Sequence, residues 1–197
     1  GSEVTLDVLR IVDGDTFIAT AHPDRLVGRF RLRRIDAPEM SQAFGPEARD
    51  ALAALLGVGL AERTNGKSKP TDGELSVFSP MTSSFANNVD VTALIHDVDD
   101  HGRYVVDVLV RRGLSTQIDY VQQRMGADGW AWAFMTFGGK GPLGEAMDVA
   151  KRERRGLWQD DKDPVAPWKY RQRADMKQPV NAAKTDSVKV SKRRDVV

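Results

Sequence analysis

Apolar and polar residues alternate along "VTLDVLRIV", residues 4–12, and predict a strand. Residues 16–21 and 27–35 predict two more, set off by turn residues at Pro23-Asp24 and Gly28. In the third, Phe30 and Leu32 share one face and Arg31 and Arg33 the other. Arg34 breaks the alternation, which predicts a bulge or the end of pairing. "GPEARDALAALLG" switches to a helical period, with Ala48, Leu52, Leu55 and Leu56 on one stripe. Pro46 suits the first helical position, Glu47 the positive N-terminal end, and Gly57 the stop. Residues 62–88 are polar and rich in Gly, Pro and Ser, so they read as a long loop or insertion. Residues 89–97 and 103–111 predict strands joined by "DDHG", and residues 116–125 and 142–155 predict helices. Trp130, Trp132, Phe134 and Phe137 lie between those helices. From about residue 172 the composition predicts disorder. Five short strands with a helix after the third suit an α+β fold, an OB-type five-stranded barrel carrying three helices. The domain should span residues 3–160, followed by an extension over residues 161–197.

With 197 residues, 41% of them hydrophobic and 29% charged, the chain suits one domain with a real core and appendages. The net charge of +1 carries little, but its distribution is uneven. Residues 161–197 hold ten Lys/Arg against five Asp, a net of +5, which leaves −4 for the rest. The absence of cysteine excludes disulfides, Cys-ligated zinc and thiol catalysis, without assigning a compartment. No stretch approaches the apolar length of a membrane span. Gly1-Ser2 reads as a cloning remnant and the first strand follows at once, which fits a removed export leader or anchor.

Chemistry enters with two acidic loops. "IVDGDTF" sets Asp13 and Asp15 around a glycine, and "FRLRRIDAPEM" adds Asp36 and Glu39. A β-turn needs Asp13-Gly14 but not Asp15, so a positive charge is expected between the loops. Hard divalent cations such as Ca²⁺ take carboxylate and carbonyl oxygens. Taken singly, each loop is also an ordinary turn, "DG" in a hairpin and "DAP" at a strand end. Arg31, on the polar face of its strand, can point at an anionic ligand beside a metal, whereas Arg33 reads as a solvated strand arginine. Glu39 is stiffened by Pro38, and a carboxylate beside a metal-bound phosphate can take a proton from water. Its bland reading is a surface residue ahead of the helix. "DVDDHGR", residues 97–103, nearly fits an EF-hand loop, but the twelfth position is Val108 and the flanks are strands. It is a hairpin turn, which leaves Arg103 to be explained. His22, His96 and His101 are isolated, without zinc-ligand spacing. "APWKYRQR", residues 166–173, interleaves aromatic and basic residues, as nucleic-acid surfaces do, or straps a tail to the domain through Trp168.

Together and in order, "VDGDTF", "FRLRRIDAPE", "FGPEA", "DDHGRYVVDVLV" and "RERRGLW" resemble the staphylococcal nuclease family over roughly residues 4–160, the insertion apart. The resemblance implies an OB barrel with three helices and Ca²⁺-dependent cleavage of DNA and RNA to 3′-phosphates. It implies that Asp15, Asp36 and the backbone carbonyl of Ala37 ligate Ca²⁺, with Asp13 in the outer shell. Arg31 and Arg103 would grip the scissile phosphate, and Glu39 would act as general base or water-orienter. Phe137 is the candidate for base stacking, and Trp168, Lys169 and Arg171 for strand binding. Ala37 replaces a frequent Thr, His101 a frequent Tyr, and Arg33 and Arg34 apolar residues. A monomer and a secreted or envelope-associated location are expected. The alternative is a non-catalytic domain of the same fold that binds nucleic acid or a protein partner. In a third reading the insertion or the tail blocks or targets the site.

Overall fold

β1 (Ser2–Ile11), β2 (Thr16–Ala21) and β3 (Leu26–Leu32) form an antiparallel meander in a computed structural model describing residues 1–59, 89–134, 141–160 and 164–177. A two-residue strand, β4 (Ile35–Asp36), and helix α1 (Gly45–Leu55) follow. β5 (Val89–Val98) and β6 (Tyr104–Arg112) make a long hairpin. β7 (Ile118–Tyr120), helix α2 (Val121–Ala127), β8 (Trp132–Ala133), helix α3 (Gly141–Arg152) and helix α4 (Pro167–Lys177) complete the order.

The strands hydrogen-bond in the order β3-β2-β1-β5-β6, and β3 closes on β6 in parallel, Phe30 opposite Tyr104 and Leu32 opposite Val106. The result is a closed five-stranded barrel, with β7 added at the edge of β6. Register shifts between Val8 and Arg10 and between Ile95 and Asp97 give the bends that closure requires. Alternation sends Leu6, Val8, Phe17, Phe30, Leu32, Val106 and Val108 inward, where they are buried. The rings of Phe17 and Phe30 stack between β2 and β3 with centroids 5.5 Å apart, and Phe30 stacks on Tyr104 across the β3–β6 seam at 5.3 Å. Ala48 and Leu52 of α1, with Leu56 just beyond it, and Val121 and Met125 of α2 cover this core. A second cluster joins Trp132, Met147, Ala150, Leu157, Trp158 and Ala166, with Phe44 and Trp168 packed on it.

The expected barrel is present; several details differ. The strand expected over 27–35 ends at Leu32, where Arg34 turns with φ 63° before Ile35–Asp36 pairs with Trp132–Ala133. The segment expected as a helix over 116–125 begins as a strand, because Leu109–Arg111 of β6 still has open edge groups for Ile118–Tyr120 to pair with. Among the described residues there are four α-helices rather than three. The fourth crosses residue 172, where disorder was expected, and runs to Lys177. Tertiary contacts of Trp168 and Tyr170 outweigh the polar composition there. The whole insertion expected at 62–88, and Phe137, lie outside the described residues.

Candidate active site

The two acidic loops meet because Gly14 lets them. A Cβ built on Gly14 would lie 2.6 Å from the Cβ of Ala37 and 2.8 Å from that of Ala48. The glycine between the two aspartates is therefore a packing contact between the first loop, the second loop and α1. Asp15 and Asp36 come out buried, 4% and 3% exposed, although both are carboxylates. Such burial needs compensation. Arg31 supplies it, pairing with Asp15 Oδ1 through Nη1 and reaching Asp36 Oδ1 through Nη2 at 3.0 Å. The amide of Ala37 donates to Asp15 Oδ2 at 2.9 Å, and the Thr16 hydroxyl to Asp15 Oδ1 at 3.0 Å. Burial works against the charge of Arg31, and Asp15 and Asp36 more than restore it, holding the guanidinium above its ordinary value.

Asp13 accepts from the amide of Asp15 at 3.0 Å. Burial first, then the charge of Asp15, pushes its carboxyl up to about 6, against the relief from that amide and from Arg31.

Arg103 comes from the β5–β6 turn, where Gly102 takes φ +71°. Asp99 organises this turn, its Oδ1 accepting the amides of His101 and Arg103, each at 3.0 Å. Asp99 Oδ2 accepts from Arg103 Nε at 2.8 Å and Nη2 at 2.7 Å. Burial raises the Asp99 carboxyl, but these bonds from Arg103 and His101 outweigh it and hold the group down at about 2.

Glu39 stands at the rim, its side chain 35% exposed. Its loop is knitted by Gln42, whose Oε1 accepts from the Glu39 amide at 3.3 Å and whose amide returns to the Glu39 carbonyl at 2.8 Å. The other end of the Gln42 side chain donates to the carbonyl of Val165, just before α4.

From α4 itself comes Arg171. Its Nη1 lies 2.7 Å from Glu39 Oε1 and 3.2 Å from Asp36 Oδ1, and its Nη2 2.8 Å from Asp36 Oδ2. Those bonds to Asp36, against some burial, and then those to Glu39 hold its guanidinium above the ordinary value.

One cleft of about 520 Å³ gathers Asp13, Asp15, Arg31, Asp36, Ala37, Glu39, Arg103 and Arg171, with Arg29 and His101 beside them. Trp168 does not face this cleft group; its ring meets Trp132 and Phe134 edge-on at 6.4 and 6.3 Å and straps α4 down. Lys169 is exposed on the same helix. Arg29, Asp99 and Gln42 are residues that the sequence reading missed. Arg29 had a signal, sharing the face of Arg31 two residues on, whereas nothing local marks Gln42.

Among the described residues, no cluster of three or more His, Cys, Asp or Glu side chains is gathered to hold a metal ion alone. The donor set is nevertheless all oxygen, with two buried carboxylates. A hard cation suits it if carbonyl and water oxygens complete the coordination. Also among the described residues, no helix is long and apolar enough to cross a membrane.

A family model described as staphylococcal nuclease homologue matches residues 78–160. A micrococcal nuclease of Shigella flexneri is 32% identical over 170 residues, covering 84% of this chain and 79% of the relative. The chain belongs to the staphylococcal nuclease family. A probable staphylococcal-like nuclease of Oryza sativa subsp. japonica is 30% identical over 73% of this chain but only 28% of its own length. An uncharacterized endonuclease of Escherichia coli O157:H7 is 29% identical over 84% of each chain. The chain is that of a hydrolytic nuclease.

Proposed function

We propose that this nuclease is a Ca²⁺-dependent, sugar-nonspecific endonuclease that hydrolyses phosphodiester bonds of DNA and RNA to 3′-phosphate products. The observation that supports this reading is the convergence of Asp15, Asp36, Arg31, Glu39 and Arg103 on one cleft. Asp15 and Asp36, with the carbonyl of Ala37 and outer support from Asp13, would hold the ion. When bound, it supplies positive charge to the phosphoryl oxygens and orients the phosphate.

The chain's own residues do the rest. Hydrolysis builds negative charge on the phosphoryl oxygens, and guanidinium forks match that geometry. Arg31 engages Asp15 and Asp36 through one N–H on each Nη and keeps further donors for a phosphate. Arg103 is already oriented by Asp99. Glu39, at the rim and open to water, takes a proton from the attacking water. The new bond joins the water oxygen to phosphorus, and the bond from phosphorus to the 5′ oxygen breaks. That oxygen then takes a proton from solvent.

The test is cleavage of single-stranded DNA, plasmid and RNA with Ca²⁺, with Mg²⁺ and with EDTA, with end analysis of the products. Cutting that needs Ca²⁺, leaves 3′-phosphates and falls by orders of magnitude in Glu39→Gln and Arg103→Ala is expected. A wild-type protein that binds nucleic acid and leaves it whole under every metal would overturn the reading in favour of a binding domain.

A further inference from the structure

Arg171 is delivered to the cleft by a part of the chain that is docked for other reasons. Ala166 is buried in the second core cluster, and Trp168 packs edge-on against Trp132 and Phe134. The Tyr170 hydroxyl donates to the carbonyl of Ser41 at 3.1 Å. Gln42, from the Glu39 loop, donates to the carbonyl of Val165. Remove Arg171 and these contacts still seat the start of α4 against the loop that carries Glu39.

The guanidinium then lands on one carboxylate proposed to hold the ion, Asp36, and on the proposed general base, Glu39. It spans Asp36, touching Oδ1 at 3.2 Å and Oδ2 at 2.8 Å, and bonds Glu39 at 2.7 Å. With Arg31 also on Asp36 Oδ1, both oxygens of that carboxylate are engaged by guanidinium. The charge balance agrees. The cleft is lined by four carboxylates and four arginines, so its formal charge is already neutral with Arg171 in place. Without Arg171 the lining carries a net negative charge, which is what a divalent cation needs.

We propose that Arg171 is a resident cation of the site, holding Asp36 where a divalent ion would act and pairing with Glu39 beside it, so that α4 docking and metal binding oppose one another. The inference rests on the Ca²⁺ site proposed above. Binding Ca²⁺ on Asp36 requires Arg171 to leave it, and the loss of those bonds weakens the hold on α4. By linkage, the factor by which the seated arginine weakens Ca²⁺ binding is the factor by which Ca²⁺ loosens the strap. It also gives Glu39 two states, paired with Arg171 or free to accept a proton.

The experiment is calorimetric titration of metal-free full-length protein with Ca²⁺ alone, for wild type, Arg171→Ala and Arg173→Ala. The last removes the same charge from the same helix, two residues on. Arg171→Ala should bind Ca²⁺ about tenfold more tightly than wild type, within the usual range of such couplings, and Arg173→Ala should not. Amide hydrogens of residues 165–173 should exchange faster in wild type when Ca²⁺ is added. Equal or weaker Ca²⁺ binding by Arg171→Ala overturns the proposal. So does equal tightening in both variants, which would reduce the effect to net charge, and so does unchanged or slower exchange. If wild type and Arg171→Ala both bind no Ca²⁺ at millimolar concentration, the metal site itself fails. If both bind it equally, only the competing role of Arg171 fails.

Discussion

Asp99 holds Arg103 with two bonds, 2.8 Å to Nε and 2.7 Å to Nη2, from four residues earlier in the same hairpin turn. The side chain proposed to meet the phosphate is therefore fixed by its own turn, as one rigid unit with Gly102. Asp99→Asn removes the charge that orients the fork and keeps most of the turn. We expect kcat/KM to fall about tenfold in Asp99→Asn and roughly 10²–10³-fold in Arg103→Ala, the usual loss for one transition-state donor. Arg103→Lys should not restore activity, because a point charge cannot reproduce the fork. Steady-state kinetics on a short single-stranded DNA checks all three, and wild-type rates in Asp99→Asn would show that the clamp is idle.

Gly14 is where fold and site are joined. A methyl group there meets Ala37 and Ala48, so either the acidic loops part or α1 shifts. Gly14→Ala should destabilise the protein by about 1–3 kcal/mol, the cost of overpacking a tight contact. Denaturant unfolding in EDTA measures this, and Ca²⁺ affinity should fall in the same variant because Asp15 and Asp36 no longer converge. A variant as stable as wild type would mean that the loops have room to spare.

How much of this was legible in the sequence follows from where each contact comes from. β1, β2 and the β5–β6 hairpin carry period-two patterns, and their inward residues sort themselves by alternation alone. α1 announces itself through Pro46, Glu47 and its apolar stripe. β4 does not, since two residues give no period and Ile35–Asp36 is a strand only because Trp132–Ala133 pairs with it. α4 is equally silent, as its sequence is polar and its place is fixed by Trp168, Tyr170 and Arg171 reaching far back along the chain. Most of the site lay within local motifs, so Asp13, Asp15, Arg31, Asp36 and Glu39 could be gathered from two loops. Arg171 stood out only as part of a basic and aromatic stretch. Its pairing with Asp36, 135 residues away, is tertiary information.

Asp13 and Asp99 should respond to pH with opposite signs. In the folded protein Asp13 is pushed up to about 6, above its usual 3.8, so the native state holds a proton that the unfolded chain has lost. Its contribution to stability is therefore full below about pH 4 and disappears as pH rises through 6. Asp99 is held at about 2, so its contribution is full above about pH 4 and disappears as pH falls toward 2. Melting curves in EDTA from pH 2 to 8 check this by difference. The wild-type advantage over Asp13→Asn should shrink between pH 4 and 6, and the advantage over Asp99→Asn should shrink between pH 4 and 2. A flat difference for either variant would remove that residue from the linkage.

Arg31 is the sharpest test of how the buried acids are neutralised. Its guanidinium serves Asp15 and Asp36 together, and both are almost fully buried. Arg31→Met keeps the length of the side chain and removes the charge. In EDTA this should destabilise the fold by about 3–5 kcal/mol, the usual consequence of stranding a buried charge. Arg171 still covers Asp36 but does not reach Asp15 in the contacts described, so it compensates one acid and leaves the other. At the proposed site Ca²⁺ would supply the missing charge to both, so saturating Ca²⁺ should recover more stability in Arg31→Met than it adds to wild type. Urea unfolding of both proteins, with and without Ca²⁺, reads the difference directly. A larger gain in the variant means that arginine and metal serve the same two carboxylates. An equal gain means that Ca²⁺ binds elsewhere, and the assignment of Asp15 and Asp36 would have to be given up.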